Sequence, residues 1–113
     1  MSKKFRLIVL TRPAEGREQE YLDWYQNTHL HQVVDVPGFV SAQFFKLAAN
    51  LVEGNPTYPY CAIYEVNADD FGVAMAELQR RSGSDSLIMS DALDLTRAYI
   101  AGYEEMGPVI KKR

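Results

Sequence analysis

The sequence has very little cysteine and no long apolar run. Its one cysteine, Cys61, excludes an internal disulfide framework and is typical of proteins from a reducing compartment. No stretch of about 18 consecutive apolar residues occurs, so no membrane-spanning helix is expected. The basic and apolar start of the chain alternates with Arg6 and fits a strand better than a signal peptide. These features predict a cytoplasmic protein with no membrane partner.

Sequence signatures of nucleic-acid, nucleotide and metal binding are also missing. The net charge of −3 disfavours nucleic-acid binding, because that function needs a clustered basic face. No glycine-rich phosphate loop or nucleotide fingerprint occurs. His29 and His31, the only histidines, are two residues apart and cannot chelate one metal from a regular helix. The sequence therefore predicts no metal, no organic cofactor and no nucleic-acid partner.

What the sequence does contain is the pattern of one α+β domain spanning residues 1–113. Apolar residues at 47% and charged residues at 24% are ordinary globular values. Runs rich in β-branched and aliphatic residues predict strands, and segments of helical periodicity predict helices. In chain order we predict a strand at 4–12, a helix at 14–36, strands at 39–49 and 57–66, a second helix and a strand at 95–106. This β-α-β-β-α-β order is ferredoxin-like, with two helices on one face of a four-stranded antiparallel sheet.

Polar residues and prolines mark several boundaries of these elements. Pro37-Gly38 ends the first helix. Asn67, Asp69 or Asp70 caps the second helix. Pro59, inside the third strand, indicates that the beginning of this strand lies at a sheet edge, because proline cannot donate a ladder hydrogen bond. The buried stripe of the second helix is predicted to contain Phe71, Ala74, Met75 and Leu78.

Both alternating sets of residues in the first strand are apolar. Phe5, Leu7 and Val9 form one set, and Ile8 and Leu10 form the other. The helices can bury only one set, because side chains alternate across a strand. A second copy of the sheet would cover the other apolar face, so the pattern predicts a homodimer.

The segment "DWYQNTHLHQVVDVPGF", residues 23–39, contains both histidines and the only tryptophan. At about 100° per residue, His31 points away from His29 and is expected to be a solvated surface residue. The opposite face, predicted to pack on the sheet, carries Leu22, Tyr25, His29, Val33 and Val36.

The residues between Tyr21 and Phe45 resemble the EthD-like family of the dimeric α/β-barrel superfamily. The resemblance rests on the pair Trp24-Tyr25, on His29, and on "VPGF" leading into an aromatic-rich strand. It implies a dimer whose sheets form a joint barrel, with one pocket per subunit between helices and sheet. Relatives include cofactor-free monooxygenases, cyclases, isomerases, haem enzymes and proteins without assigned activity. His29 takes the position of a histidine that several relatives use, whereas no haem ligand carries over.

His29 is the candidate catalytic residue, because a neutral imidazole can take or give a proton near pH 7. The alternative is a core histidine bonded to a backbone carbonyl or a tyrosine hydroxyl. Cys61 is either a partner of His29 in the pocket or a small buried hydrophobe. The aromatic side chains either orient a ring-shaped ligand or only pack. The predicted substrate-binding residues are Tyr25, Phe45, Tyr64, Tyr99 and Cys61.

The leading hypothesis is a small homodimeric enzyme of catabolic or secondary metabolism that needs no metal or organic cofactor. Its substrate would be a compact aromatic or cyclic oxygenated molecule, and its reaction an isomerisation, a cyclisation or an oxygenation. The alternative is a non-catalytic metabolite-binding or accessory protein of the same fold, in which His29 is structural.

Overall fold

The computed structural model describes residues 2–113 and contains the predicted order of elements. Its strands are β1 (Lys3–Thr11), β2 (Phe39–Lys46), β3 (Tyr60–Ala68) and β4 (Tyr99–Glu104). Helices α1 (Glu18–Trp24) and α2 (Leu30–Val34) are joined by a π-helical segment (Tyr25–His29), and α3 is Phe71–Arg81. The strands form one antiparallel sheet in the order β2-β3-β1-β4. The predicted ferredoxin-like α+β fold is confirmed.

The elements α1, π segment and α2 follow one another without a break, and together we call them the long helix. It begins at Glu18, later than predicted, because residues 14–17 form a turn closed by the Arg17 N–H on the Ala14 carbonyl. It ends shortly before Pro37-Gly38. Gly38 has a φ of +95°, a conformation that favours glycine, and its carbonyl accepts a hydrogen bond from Asn67 N–H. This bond fixes the turn that leads into β2.

Helix α3 begins where one of the three predicted caps lies. The Asp70 carboxylate accepts a hydrogen bond of 2.8 Å from the Gly72 N–H, so Asp70 is the cap. The predicted apolar stripe packs on the core through Phe71, Ala74, Met75 and Leu78. The start of the helix is therefore set by local sequence, and its orientation by this stripe.

Strands β2 and β4 are shorter than predicted, β3 begins and ends later than predicted, and the prediction for Pro59 is wrong. β2 ends at Lys46, β4 begins at Tyr99, and β3 begins at Tyr60, one residue after the proline. β3 is an inner strand that pairs with both β1 and β2. Pro59 is tolerated because it precedes the strand and contributes only its carbonyl, which accepts a 2.8 Å hydrogen bond from Leu47 N–H.

The register of the strands assigns alternate residues to two faces of the sheet. The face toward the helices carries most of the buried residues, among them Phe5, Leu7, Thr11, Ala62, Tyr64 and Val66. The opposite face, which no other element within residues 2–113 covers, we call the open face. It carries Ile8, Leu10, Phe45, Cys61, Ile63, Tyr99, Ala101 and Tyr103.

Gly102 in β4 is a position where the fold excludes a side chain. A Cβ atom built there would lie 2.3 Å from the ring of Phe71, which also packs on Phe5 at a centroid distance of 4.8 Å. We therefore expect Gly102→Ala to lower the free energy of unfolding by about 1–3 kcal/mol, measured by urea denaturation. Gly107→Ala is the matched control, since a Cβ there meets no atom within 4 Å. Equal stability of the two variants would show that the ring moves aside at no cost.

No helix in the described part of the chain is both long and apolar enough to cross a bilayer.

Candidate functional site

A cavity of about 160 Å³ lies between the sheet, the long helix and the residues that join α3 to β4. These joining residues, 82–98, we call the covering segment. The mouth of the cavity is at Leu95 and Ile100, which are 68% and 62% exposed. The apolar part of the wall is formed by Leu7, Val9, Val33, Leu78, Leu87, Met89, Leu93, Leu95, Ala98 and Ile100. Its polar side chains are Thr11, Tyr25, His29, Tyr64 and Ser82.

The π-helical segment positions two of these polar residues. Its first residue is Tyr25 and its last is His29, and the Leu30 N–H donates to the Tyr25 carbonyl five residues earlier. Side chains four residues apart lie on the same side of a helix and are neighbours along it. Such segments are rare and are often found at functional sites. Both side chains line the cavity.

His29 is held by aromatic contacts. Its ring stacks on Trp24 with centroids 4.4 Å apart and an interplanar angle of 26°, and it meets Tyr25 edge-on at 5.0 Å. Its Nδ1 is buried and has no hydrogen-bond partner among the described residues. Burial lowers the pKa of His29 from its ordinary 6.5 to about 4, so the imidazole is neutral near pH 7.

The hydroxyls of Thr11, Tyr25 and Tyr64 form a polar end of the cavity, and the Tyr21 hydroxyl lies behind that of Thr11. The Tyr21 and Thr11 hydroxyls lie 2.6 Å apart. The hydroxyls of Tyr64 and Thr11 lie close enough to that of Tyr25 to oppose the effect of burial on its pKa. Burial raises the pKa of Tyr25 to about 12 and raises the pKa of Tyr21 and of Tyr64 as well, so all three phenols stay protonated. This end of the cavity offers hydrogen bonds without offering charge.

The covering segment is tied to the long helix by two side chains. Trp24 Nε1 donates a 2.9 Å hydrogen bond to the Ile88 carbonyl. The Gln32 amide donates to the Asp85 carbonyl at 3.1 Å and accepts from Ile88 N–H at 2.7 Å. Trp24 therefore contacts both His29 and the segment that closes the cavity.

The predicted site residues fall into two groups. The structure brings His29, Tyr25 and Tyr64 together in the cavity. Phe45, Cys61 and Tyr99 lie on the open face, so the prediction that they share the pocket of His29 is corrected. The strand register explains this, since Cys61 pairs with Phe45 and Leu10, and Leu10 pairs with Tyr99, all on the same side.

Neighbouring residues take the positions that were predicted for Phe45 and Cys61. Phe44 faces the helix and stacks on Tyr25 with centroids 4.5 Å apart. Ala62 is fully buried on the same side. Cys61 is half-buried, and burial raises the pKa of its thiol, which disfavours the thiolate. The Tyr99 hydroxyl is within 2.6 Å of the Tyr103 hydroxyl on the open face.

Two parts of the site were not predicted from the sequence. Thr11 continues the alternating set of Leu7 and Val9 and could have been found from that period of two. The covering segment has no regular structure and gives no periodic signal, so its place over the cavity could not be predicted. His31 is exposed, as predicted. Across the described residues, no group of three or more His, Cys, Asp or Glu side chains is placed to hold a metal ion.

Comparison with known proteins identifies the fold. No protein-family model matches the chain, and neither does any curated protein. Among solved structures, it is similar to a protein of Shewanella loihica PV-4 described as a "putative monooxygenase", with 19% identity, a TM-score of 0.59 and 99% of each chain covered. It is also similar to an ethyl tert-butyl ether D (EthD) family protein of Bacillus halodurans C-125, with 16% identity and a TM-score of 0.51 over 91% of this chain and 99% of that one. The chain thus shares the EthD-like fold that the sequence predicted.

Proposed function

We propose that this protein is an enzyme that binds a compact aromatic or cyclic oxygenated molecule in the cavity. His29 acts as the general acid or base, without a metal or organic cofactor. The observation that carries the proposal is that His29 lines the cavity with a neutral imidazole, while its buried Nδ1 has no hydrogen-bond partner among the described residues. Buried polar groups in folded proteins are nearly always paired, and an unpaired one costs about 1–3 kcal/mol. His29 is therefore retained in the cavity wall at a cost in stability, which favours a functional role over a purely structural one.

The surroundings of His29 suit proton transfer from a bound ring. A neutral imidazole can accept a proton from an O–H or C–H group of the substrate. The imidazolium and the substrate anion then attract each other strongly, because the apolar wall excludes water. The hydroxyls of Tyr25 and Tyr64 orient the substrate oxygen and stabilise its developing negative charge.

The size of the cavity supports a small substrate. At about 160 Å³ it is close to an engineered apolar cavity of about 150 Å³ in another protein, which binds benzene. Pockets for larger, drug-sized ligands measure about 300–1,000 Å³. A single ring with a few substituents therefore fits, and a fused polycyclic molecule does not fit without movement of the covering segment.

Isomerisation, cyclisation and oxygenation of such a ring share the same first step. In each, a proton leaves the substrate for His29, and the resulting anion rearranges, attacks within the molecule or reacts with dioxygen. The description of the Shewanella protein as a monooxygenase agrees with the reaction of the anion with dioxygen. For this chain we propose only the first step, the transfer of a proton from the substrate to His29.

A substrate survey tests the proposal. The purified protein is incubated in air with small hydroxylated rings such as catechol, resorcinol, hydroquinone and cyclohexane-1,3-dione, and consumption is followed by mass spectrometry. We expect at least one compound to be consumed. Ala98→Phe, which fills the cavity near its mouth, should slow that reaction at least about tenfold. Compounds that bind but are not consumed would instead support the non-catalytic alternative, and equal consumption by the variant would place the chemistry elsewhere.

The proposed enzyme is a homodimer formed through the open face. The centre of this face is a row in which Gln43, Ile63, Ile8 and Ala101 lie side by side. Around it, Phe45, Tyr99 and Tyr103 are 38%, 42% and 54% exposed. An apolar surface of this kind, at the centre of a sheet, is typical of a surface covered by a partner.

Sedimentation measurements test this dimer. We expect the wild type to be dimeric at micromolar concentration and Ile63→Asp to be monomeric, because a buried unpaired carboxylate costs several kcal/mol at the interface. The control is Val73→Asp, which places the same charge on an exposed position of α3 away from the open face. A monomeric wild type, or dissociation by both variants alike, would contradict the dimer.

A further inference from the structure

The wall of the cavity contains no lysine, arginine, aspartate or glutamate among the residues that the structure describes. Ion pairs near the site lie outside it. Arg12 pairs with Asp94 at 3.2 Å, and Arg17 pairs with Asp91 at 2.6 Å, both at the base of the covering segment. These cations already have carboxylate partners. A charged group inside the cavity would therefore find no counter-charge.

The polar groups that do line the cavity are neutral. Tyr25, Tyr64, Thr11 and Ser82 present hydroxyls, and His29 presents a neutral imidazole. Hydroxyls both donate and accept hydrogen bonds, and a neutral imidazole has one nitrogen of each kind. The wall therefore offers a ligand hydroxyl both hydrogen-bond donors and hydrogen-bond acceptors, and it offers no charge.

We infer that the site selects uncharged ring compounds that carry a hydroxyl group and that it rejects carboxylates and phosphates. This inference rests on the proposed function, since it takes the cavity as the substrate site. The substrate enters with its hydroxyl protonated, and a negative charge arises only when His29 takes the proton. A carboxylate of the same size must instead leave its hydration shell with no cation to receive it.

Three single-ring probes that differ in one substituent test the inference by calorimetry on the wild-type protein. Phenol carries the hydroxyl, benzoate carries a charge, and toluene carries neither. We expect phenol to bind at least about 100-fold more tightly than benzoate, because an unpaired charge is strongly disfavoured in an apolar site. Phenol affinity should also stay constant between about pH 6 and pH 8, because neither phenol nor His29 changes its charge there.

Two variants make the outcomes distinguishable. Tyr64→Phe should weaken phenol binding about tenfold through the lost hydrogen bond and leave toluene binding within about twofold. Ala98→Phe should abolish binding of both compounds. Suppose that benzoate binds the wild type as tightly as phenol and that Ala98→Phe abolishes its binding. This result would overturn the inference and leave the proposed cavity site intact. Failure of all three probes to bind, or binding that Ala98→Phe leaves unchanged, would overturn both.

Discussion

Replacing His29 by glutamine is expected to lower turnover of the substrate by about 10²–10⁴-fold, the usual contribution of a general acid or base. Glutamine keeps a polar side chain of similar reach on the π-helical segment but cannot take up a proton near pH 7. Substrate affinity should change much less, because the hydroxyls of Tyr25 and Tyr64 remain. The measurement is kcat and KM for the compound found in the survey, together with the molar mass of the variant in solution.

The chain supplies its own control for this experiment. His31 is exposed on the same helix two residues further on, so His31→Gln should leave kcat unchanged. If His29→Gln retains full turnover, the imidazole is not the base. If its loss of activity is accompanied by dissociation or unfolding, His29 serves packing on Trp24 rather than chemistry.

Acidification is expected to destabilise the protein through the same histidine. Its pKa is about 4 in the folded state and about 6.5 in the unfolded chain. Between these values the unfolded chain binds more protons than the folded one, so the free energy of unfolding falls as the pH is lowered through this range. The two values correspond to a loss of about 3 kcal/mol over the whole range. Urea denaturation at about pH 7 and pH 4.5 measures most of it.

The comparison between variants isolates this effect from that of the carboxylates. Ion pairs with arginines lower the pKa of Glu77 and Asp91, so these groups add to acid sensitivity mainly below the same range. These carboxylates are unchanged in both variants. Between about pH 7 and pH 4.5, the free energy of unfolding of His31→Gln should therefore fall as much as that of the wild type, and that of His29→Gln should fall about 2 kcal/mol less. An identical pH dependence of His29→Gln and wild type would show that burial of the imidazole carries no such cost.

Trp24 offers a direct reading of the same titration. It is the only tryptophan of the chain, and its ring stacks on His29. Protonation of a stacked imidazole quenches indole fluorescence, so the emission of the folded protein should fall around pH 4. The fall should be absent from His29→Gln and present in His31→Gln.

Helix positions were predicted more accurately than the faces of the strands. Tyr25, Val33 and Val36 are buried, and His31 is exposed, as the helical period indicated. The buried Tyr21 and Trp24 were not assigned to that face, because the π segment changes the period in the middle of the helix. A local change in hydrogen bonding of this kind leaves no trace in a count of 100° per residue.

The sequence by itself determined the order of the elements and the turn at Pro37-Gly38, and it limited the cap of α3 to three residues, because each depends on neighbours along the chain. It also separated His29 from His31. Only the tertiary structure decided that Phe44 rather than Phe45 faces the helices, and that Cys61 and Tyr99 lie on the open face. In strands with two apolar sets of residues, a period of two defines both faces but does not say which one the helices cover. The cavity and its covering segment depend on contacts such as Trp24 with Ile88, between residues far apart in the chain, and these form only when the whole core packs.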